Sequence, residues 1–197
     1  MCYSLAAREL LATGARTPLT TYTSVAEIYE AIDKTREQFY QRVEELSDEQ
    51  ATARPAPEAW SVAEIAEHLA LIERSLLRMM KGLLAQIEAE GGQGDGTPSS
   101  MKPFSLERHV ERSRREKYTA PEMARPKGEA RLADSLAHLR RSREEVRALR
   151  PRIEAADLNA VSYPHPAFGP LNVYEWLAFI GIHEARHLRQ AEAVLGA

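Results

Sequence analysis

The sequence predicts an all-α protein, a four-helix bundle, on three observations. Four long segments carry apolar residues at alternating spacings of three and four, the pattern of helices that bury one face. Strand alternation is nearly absent. Three of the four segments begin with a capping residue followed three positions later by Glu, which closes the first turn from both sides.

The first segment opens at Ser24 with Glu27 and carries Val25, Ile28, Ile32, Phe39, Val43 and Leu46. The second opens at Ser61 with Glu64 and carries Val62, Ile65, Leu69, Ile72, Leu76, Met79, Leu83 and Ile87. Residues 47–60 connect them. The third runs from about Glu129 through Leu132, Leu136, Leu139, Val146, Leu149 and Ile153, and Pro151 ends or kinks it because its ring opposes the carbonyl four residues back. The fourth opens at Asn172 with Glu175 and carries Val173, Trp176, Leu177, Ile180, Leu188, Ala191 and Val194. Trp60 with Ile65, and Leu171 with Trp176, have the spacing of hydrophobic staples. Glu64 and Glu175 therefore have capping work and are poor candidates for catalytic acids.

Residues 91–127 form the long link, opening with "GGQGDGTPSS" and containing Pro98, Pro103, Pro121 and Pro126, with a short helix expected in "SLERHVERSRREKY". A link of this length suits a crossover along a bundle rather than a tight turn, and it can cap a site. The expected organisation is an N-terminal extension over 1–20 and one bundle domain over 21–197.

Composition narrows the function. Twenty-six basic and 29 acidic residues give a net charge of −3, with 44% apolar and 28% charged residues among 197. No field of one sign selects nucleic acid or anionic lipid. The mixed-charge runs "RREK" and "RRSREEVR" read as solvated faces. No apolar run is long enough to span a bilayer and the N-terminus lacks a leader pattern, so the expectation is a cytoplasmic protein acting on a small molecule, with no nucleic acid or membrane partner. Cys2 is the single cysteine, so a metal would have to be held by His and carboxylate.

The chemistry lies in "HEARHLRQ" (183–190). His183 and His187 are four apart on a helix and share a face, so their ring nitrogens can converge on one ion. The alternative is a pair of core histidines satisfied by hydrogen bonds, but each imidazole would then need its own buried polar partner. "HEARH" also fits H-E-x-x-H, a weak match by itself. For a third ligand, His68 is placed best, at a boundary of the second stripe; His109 and His138 remain alternatives. His165 reads as second layer or rim, in a Pro-flanked turn. Arg186 and Arg189 flank the pair and are suited to an anionic group or to solvent, and Glu67 and Glu184 are candidate acceptors for ligand N–H groups.

Two blocks resemble the DinB-like superfamily of metal-binding four-helix bundles: "AWSVAEIAEHLALIERSLL" (59–77) and "HPAFGPLNVYEWLAFIGIHEARHLRQ" (165–190). The resemblance implies an up-down-down-up bundle whose long link joins parallel second and third helices. It implies that His68, His183 and His187 hold a divalent ion, nickel or zinc, with positions left open. It further implies a metal-dependent transferase attaching a low-molecular-weight thiol (bacillithiol, mycothiol or glutathione type) to electrophiles, or a related hydrolase or isomerase. The other expectation is a non-catalytic metal- or ligand-binding protein of stress response. The family often forms homodimers, which this sequence does not itself fix.

Overall fold

The structure is a computed structural model that describes residues 21–90, 101–115, 120 and 122–196. The expected extension over 1–20, Cys2, the opening of the long link at 91–100 and Pro121 lie outside the described residues.

The helices, in order, are α1 (Val25–Val43), α2 (Asp48–Thr52), α3 (Val62–Ala89), α4 (Glu107–Arg115), α5 (Leu132–Ala148), α6 (Arg150–Glu154) and α7 (Val173–Leu195). The four long ones are α1, α3, α5 and α7. Full capping boxes start α3, where Ser61 and Glu64 exchange bonds, and α7, where Asn172 and Glu175 do so. At α1, Ser24 caps Glu27, whose carboxylate reaches one residue further back to the Thr23 N–H and hydroxyl. Pro151 ends α5: the chain passes through Leu149 and restarts as α6 with Pro in its first turn, where a missing N–H is harmless. α5, the third long helix, begins at Leu132 rather than near Glu129.

Side-chain pairs give the helix directions. Ile32 lies against Gly181 and Arg36 reaches Glu184, so α1 and α7 run parallel. Glu73 pairs with Arg143 and Glu88 with Arg152 of α6, so α3 and α5 run parallel. Tyr29 donates to the Val146 carbonyl and Arg36 to that of Leu139, so α1 and α5 are antiparallel. His68 meets His183 while Ile72 and Leu76 line a cleft with Ile180, so α3 and α7 are antiparallel. The result is up-down-down-up, with the crossover between α3 and α5 carrying α4.

Strands are minor, as expected from the sequence, and among the described residues form two short two-stranded ribbons. β1 (Thr21–Tyr22) pairs antiparallel with β2 (Phe104–Ser105), and β3 (Ser162–His165) with β4 (Gly169–Asn172). Prolines in "SYPHPAFGPLN" hide the second hairpin, because Pro is tolerated in a two-stranded ribbon where one N–H row needs no partner. Gly169 at φ +79° closes its turn, a conformation open to glycine.

Two apolar clusters fill the bundle, one around Phe39, Ile65 and Leu139, the other around Ile28, Met80, Ile153 and Tyr174. Between them lies a buried ionic layer with one residue from each long helix: Arg36, Glu73, Arg143 and Glu184, each 4% exposed or less. Arg36 pairs with Glu73 and Glu184, and Arg143 reaches Glu73 at 3.4 Å and Glu184 at 3.2 Å. Further guanidinium protons go to the Leu139 carbonyl from Arg36 at 2.8 Å and to the Ile32 carbonyl from Arg143 at 2.6 Å, with Tyr40 and Asp33 accepting as well. Arg143 belongs to "RRSREEVR", the run read above as a solvated face.

Candidate metal centre

The chain brings His68 from α3 together with His183 and His187 from α7. The spacing of four on α7 stacks two imidazoles on one face, and the antiparallel approach of α3 adds the third. Nε2 of His183 lies 3.3 Å from Nε2 of His68 and 3.2 Å from Nε2 of His187. One nitrogen from each ring can be chosen so that all three lie within 4.8 Å of one another. His68 and His187 are buried and His183 is half-buried. Burial pulls all three below the usual imidazole range, His187 to about 3, and proximity of the rings to one another lowers His183 and His187 further. They are therefore neutral at pH 7.

Outer partners fix which nitrogen carries the proton. Nδ1 of His68 lies 2.6 Å from the Ala124 carbonyl, which can only accept, so Nδ1 holds the proton and Nε2 presents a lone pair. Nδ1 of His187 donates in the same way to the Gln190 side-chain oxygen at 2.9 Å. Two bare nitrogens thus face His183 Nε2, whose one hydrogen can serve a single good bond. A divalent cation satisfies all three at once. Two nitrogens at about 2.0–2.1 Å from a tetrahedral zinc ion lie about 3.3–3.4 Å apart, close to the separations here. The donor set fits a metal.

Trp60, placed just before the Ser61 cap, packs its ring on His68 at 5.0 Å and on His187 at 6.2 Å between centroids. Its staple spacing gave no sign of this contact. On the other side Phe179 stacks on His183 at 5.8 Å. Beyond it, His165 packs against Phe168, Trp176 and Phe179. A narrow cleft between α3 and α7 is lined by Ile72, Leu76, Ile180 and His183 together with Arg36, Glu73 and Glu184 of the ionic layer.

The other residues singled out in the sequence fall elsewhere. Glu184 is 1% exposed and its carboxylate accepts from Arg36 and Arg143, so it serves the ionic layer where ligand support was expected. Glu67 accepts from the backbone N–H of Lys127 at 3.1 Å and of Gly128 at 3.0 Å, not from a ligand ring. His165 accepts the Ala167 N–H on Nδ1, and burial lowers its pKa to about 4, with His109 adding to the effect. Arg186 is half-buried and its charge helps to lower His183 and His187. His109 packs on Phe168 at 4.8 Å, and neither it nor His138 joins the three-histidine group. Among the described residues no helix is long and apolar enough to cross a membrane.

Comparison with known proteins agrees with this architecture. YuaE of Bacillus subtilis, a protein of uncharacterised function, is 31% identical over 153 residues, which cover 76% of this chain and 85% of YuaE. Among solved structures, TT2238, a four-helix bundle protein, superposes with a TM-score of 0.55 at 22% identity, covering 85% of this chain and 96% of that one. YfiT of Bacillus subtilis, described as a "probable metal-dependent hydrolase with an unusual four-helix bundle topology", gives 0.55 at 16% identity and covers 93% of both chains. Residues 31–191 match the DinB superfamily, and the chain belongs to it.

Proposed function

We propose that this protein is a metal-dependent enzyme in which His68, His183 and His187 hold a divalent ion, nickel or zinc, and that it transfers a low-molecular-weight thiol to a small electrophile. The observation that carries the metal reading is the convergence of three Nε2 atoms, with the Nδ1–H groups of His68 and His187 anchored on outward acceptors. Three neutral imidazoles leave the ion's charge intact and at least one coordination position free, the arrangement of catalytic rather than structural zinc. When bound, the ion supplies Lewis acidity, lowering the pKa of a thiol or water molecule brought to it.

The chain's own groups support this chemistry by shaping the surroundings. Trp60 and Phe179 wall the histidines with apolar surface, which limits water and strengthens electrostatic interactions. The single cysteine, Cys2, is far along the chain from these ligands, so the reading takes its sulfur from a cosubstrate.

Hydrolysis is the second reading, favoured by the description of YfiT as a metal-dependent hydrolase. A paired assay separates them. Nickel- or zinc-loaded protein is given a panel of electrophiles with and without glutathione, bacillithiol or mycothiol. Thiol-dependent substrate loss with a thioether product supports transfer; turnover of esters or amides without thiol supports hydrolysis. Absence of both, in a fully loaded protein, would favour a binding role in stress response.

A further inference from the structure

The three-histidine site takes its third ligand from α3, and α3 is also where the crossover is fastened. Glu67 accepts from the N–H groups of Lys127 and Gly128, at 3.1 and 3.0 Å. Three residues earlier in the crossover, the 3₁₀ turn Glu122–Ala124 ends with the Ala124 carbonyl 2.6 Å from His68 Nδ1. Glu67 and His68 are adjacent in sequence, so one carboxylate and one imidazole of the same helical turn hold the two ends of the segment 124–128. Gly128 has φ +72°, and a Cβ there would lie 3.3 Å from Oε1 of Glu64. The segment is thus seated against α3, where a side chain would crowd the Glu64 carboxylate and would have to hold a positive φ that glycine adopts freely.

We propose that Glu67 is a positioning residue of the metal site. By holding the backbone of 127–128, it keeps the Ala124 carbonyl on His68 Nδ1, and that bond keeps the Nε2 lone pair of His68 turned toward His183 and His187. The inference rests on the metal reading above for its consequence, but the tautomer of His68 is a property of the metal-free protein. A freed imidazole exchanges its proton between nitrogens and turns about its side-chain bonds, and outer partners of this kind are worth about 10–100-fold in metal affinity. The clamp uses both carboxylate oxygens of Glu67, so Gln, with one acceptor oxygen, restores part of it.

The test uses the full-length protein, wild type beside Glu67→Ala, Glu67→Gln and Gly128→Ala. Nitrogen-15 NMR of the metal-free proteins reports the His68 tautomer, and competition titration with zinc reports affinity. Circular dichroism spectra superimposable on wild type exclude general unfolding. The expected result is a single Nδ1–H tautomer for His68 in wild type, mixed tautomers in Glu67→Ala and Gly128→Ala, and an intermediate state in Glu67→Gln. Zinc affinity is expected to fall by about 10–100-fold in the first two variants. A His68 that keeps its single Nδ1–H tautomer in Glu67→Ala, or a zinc affinity within twofold of wild type there, overturns the proposal. If wild type binds no zinc, the metal reading fails, and the tautomers still decide whether Glu67 positions His68.

Discussion

Glu184 follows His183 in the chain, yet its carboxylate is bound by Arg36 and Arg143 in the ionic layer. A buried carboxylate with two guanidinium partners is costly to disturb from one side, since removing it leaves positive charge unpaired among apolar residues. Glu184→Ala is therefore expected to lose about 3–5 kcal/mol of stability, read as a lower urea midpoint in the metal-free protein. A loss below about 1 kcal/mol would show that the layer is solvated. At His165, burial lowers the pKa to about 4, with the His109 charge adding to it. The unfolded chain takes up that proton near pH 6.5, so the folded state loses stability as pH falls from 6.5 to about 4. His68, His183 and His187, whose pKa values are also lowered, act in the same direction in the metal-free protein. Replacing His165 with Gln should shrink, without abolishing, the drop in urea midpoint between pH 6.5 and pH 4.5. An unchanged drop would mean that His165 titrates alike in both states.

At the scale of elements, the capping boxes set where the helices that carry the three histidines begin. Asn172 accepts from the Glu175 N–H at 2.9 Å and Glu175 returns a bond to the Asn172 N–H at 2.8 Å. Asn172→Ala should cost about 0.5–2 kcal/mol, again as a urea midpoint, with the rest of α7 still helical by circular dichroism. These starts were legible because cap and reciprocal Glu are local signals. The same logic would have found α2, where Ser47 and Gln50 form a full box in "SDEQ", but its five residues carry too few apolar positions to show a period. The hairpin of β3 and β4 was obscured by its prolines. The ionic layer was illegible for a different reason: Arg36, Glu73 and Arg143 are burial-averse residues whose placement depends on partners from other helices, and helical periodicity reports only apolar faces. For the histidines the signal was clear on α7, where spacing alone puts two rings on one face. Their outer acceptors, the Ala124 carbonyl and Gln190, carried no such signal, one being backbone and the other a common polar side chain.

Across the whole molecule, the ionic layer and the histidine site are neighbouring levels of one bundle. Each long helix contributes one charge to the layer, so a slip of any helix by a turn would strand a buried ion. That arrangement fixes the heights at which α3 and α7 present His68, His183 and His187. The crossover that permits parallel α3 and α5 also supplies the carbonyl that orients His68. Metal bound only by the folded chain stabilises it by mass action, about 2.7 kcal/mol at a hundredfold excess over Kd. Zinc or nickel should accordingly raise the Tm of wild type and leave that of a His183→Ala, His187→Ala variant unmoved. The most direct measurement is elemental analysis of protein purified without an affinity tag or chelator, wild type beside that double variant. Near-stoichiometric nickel or zinc in wild type, absent from the variant, is the result this account predicts; a metal-free wild type whose Tm ignores both added ions would contradict it.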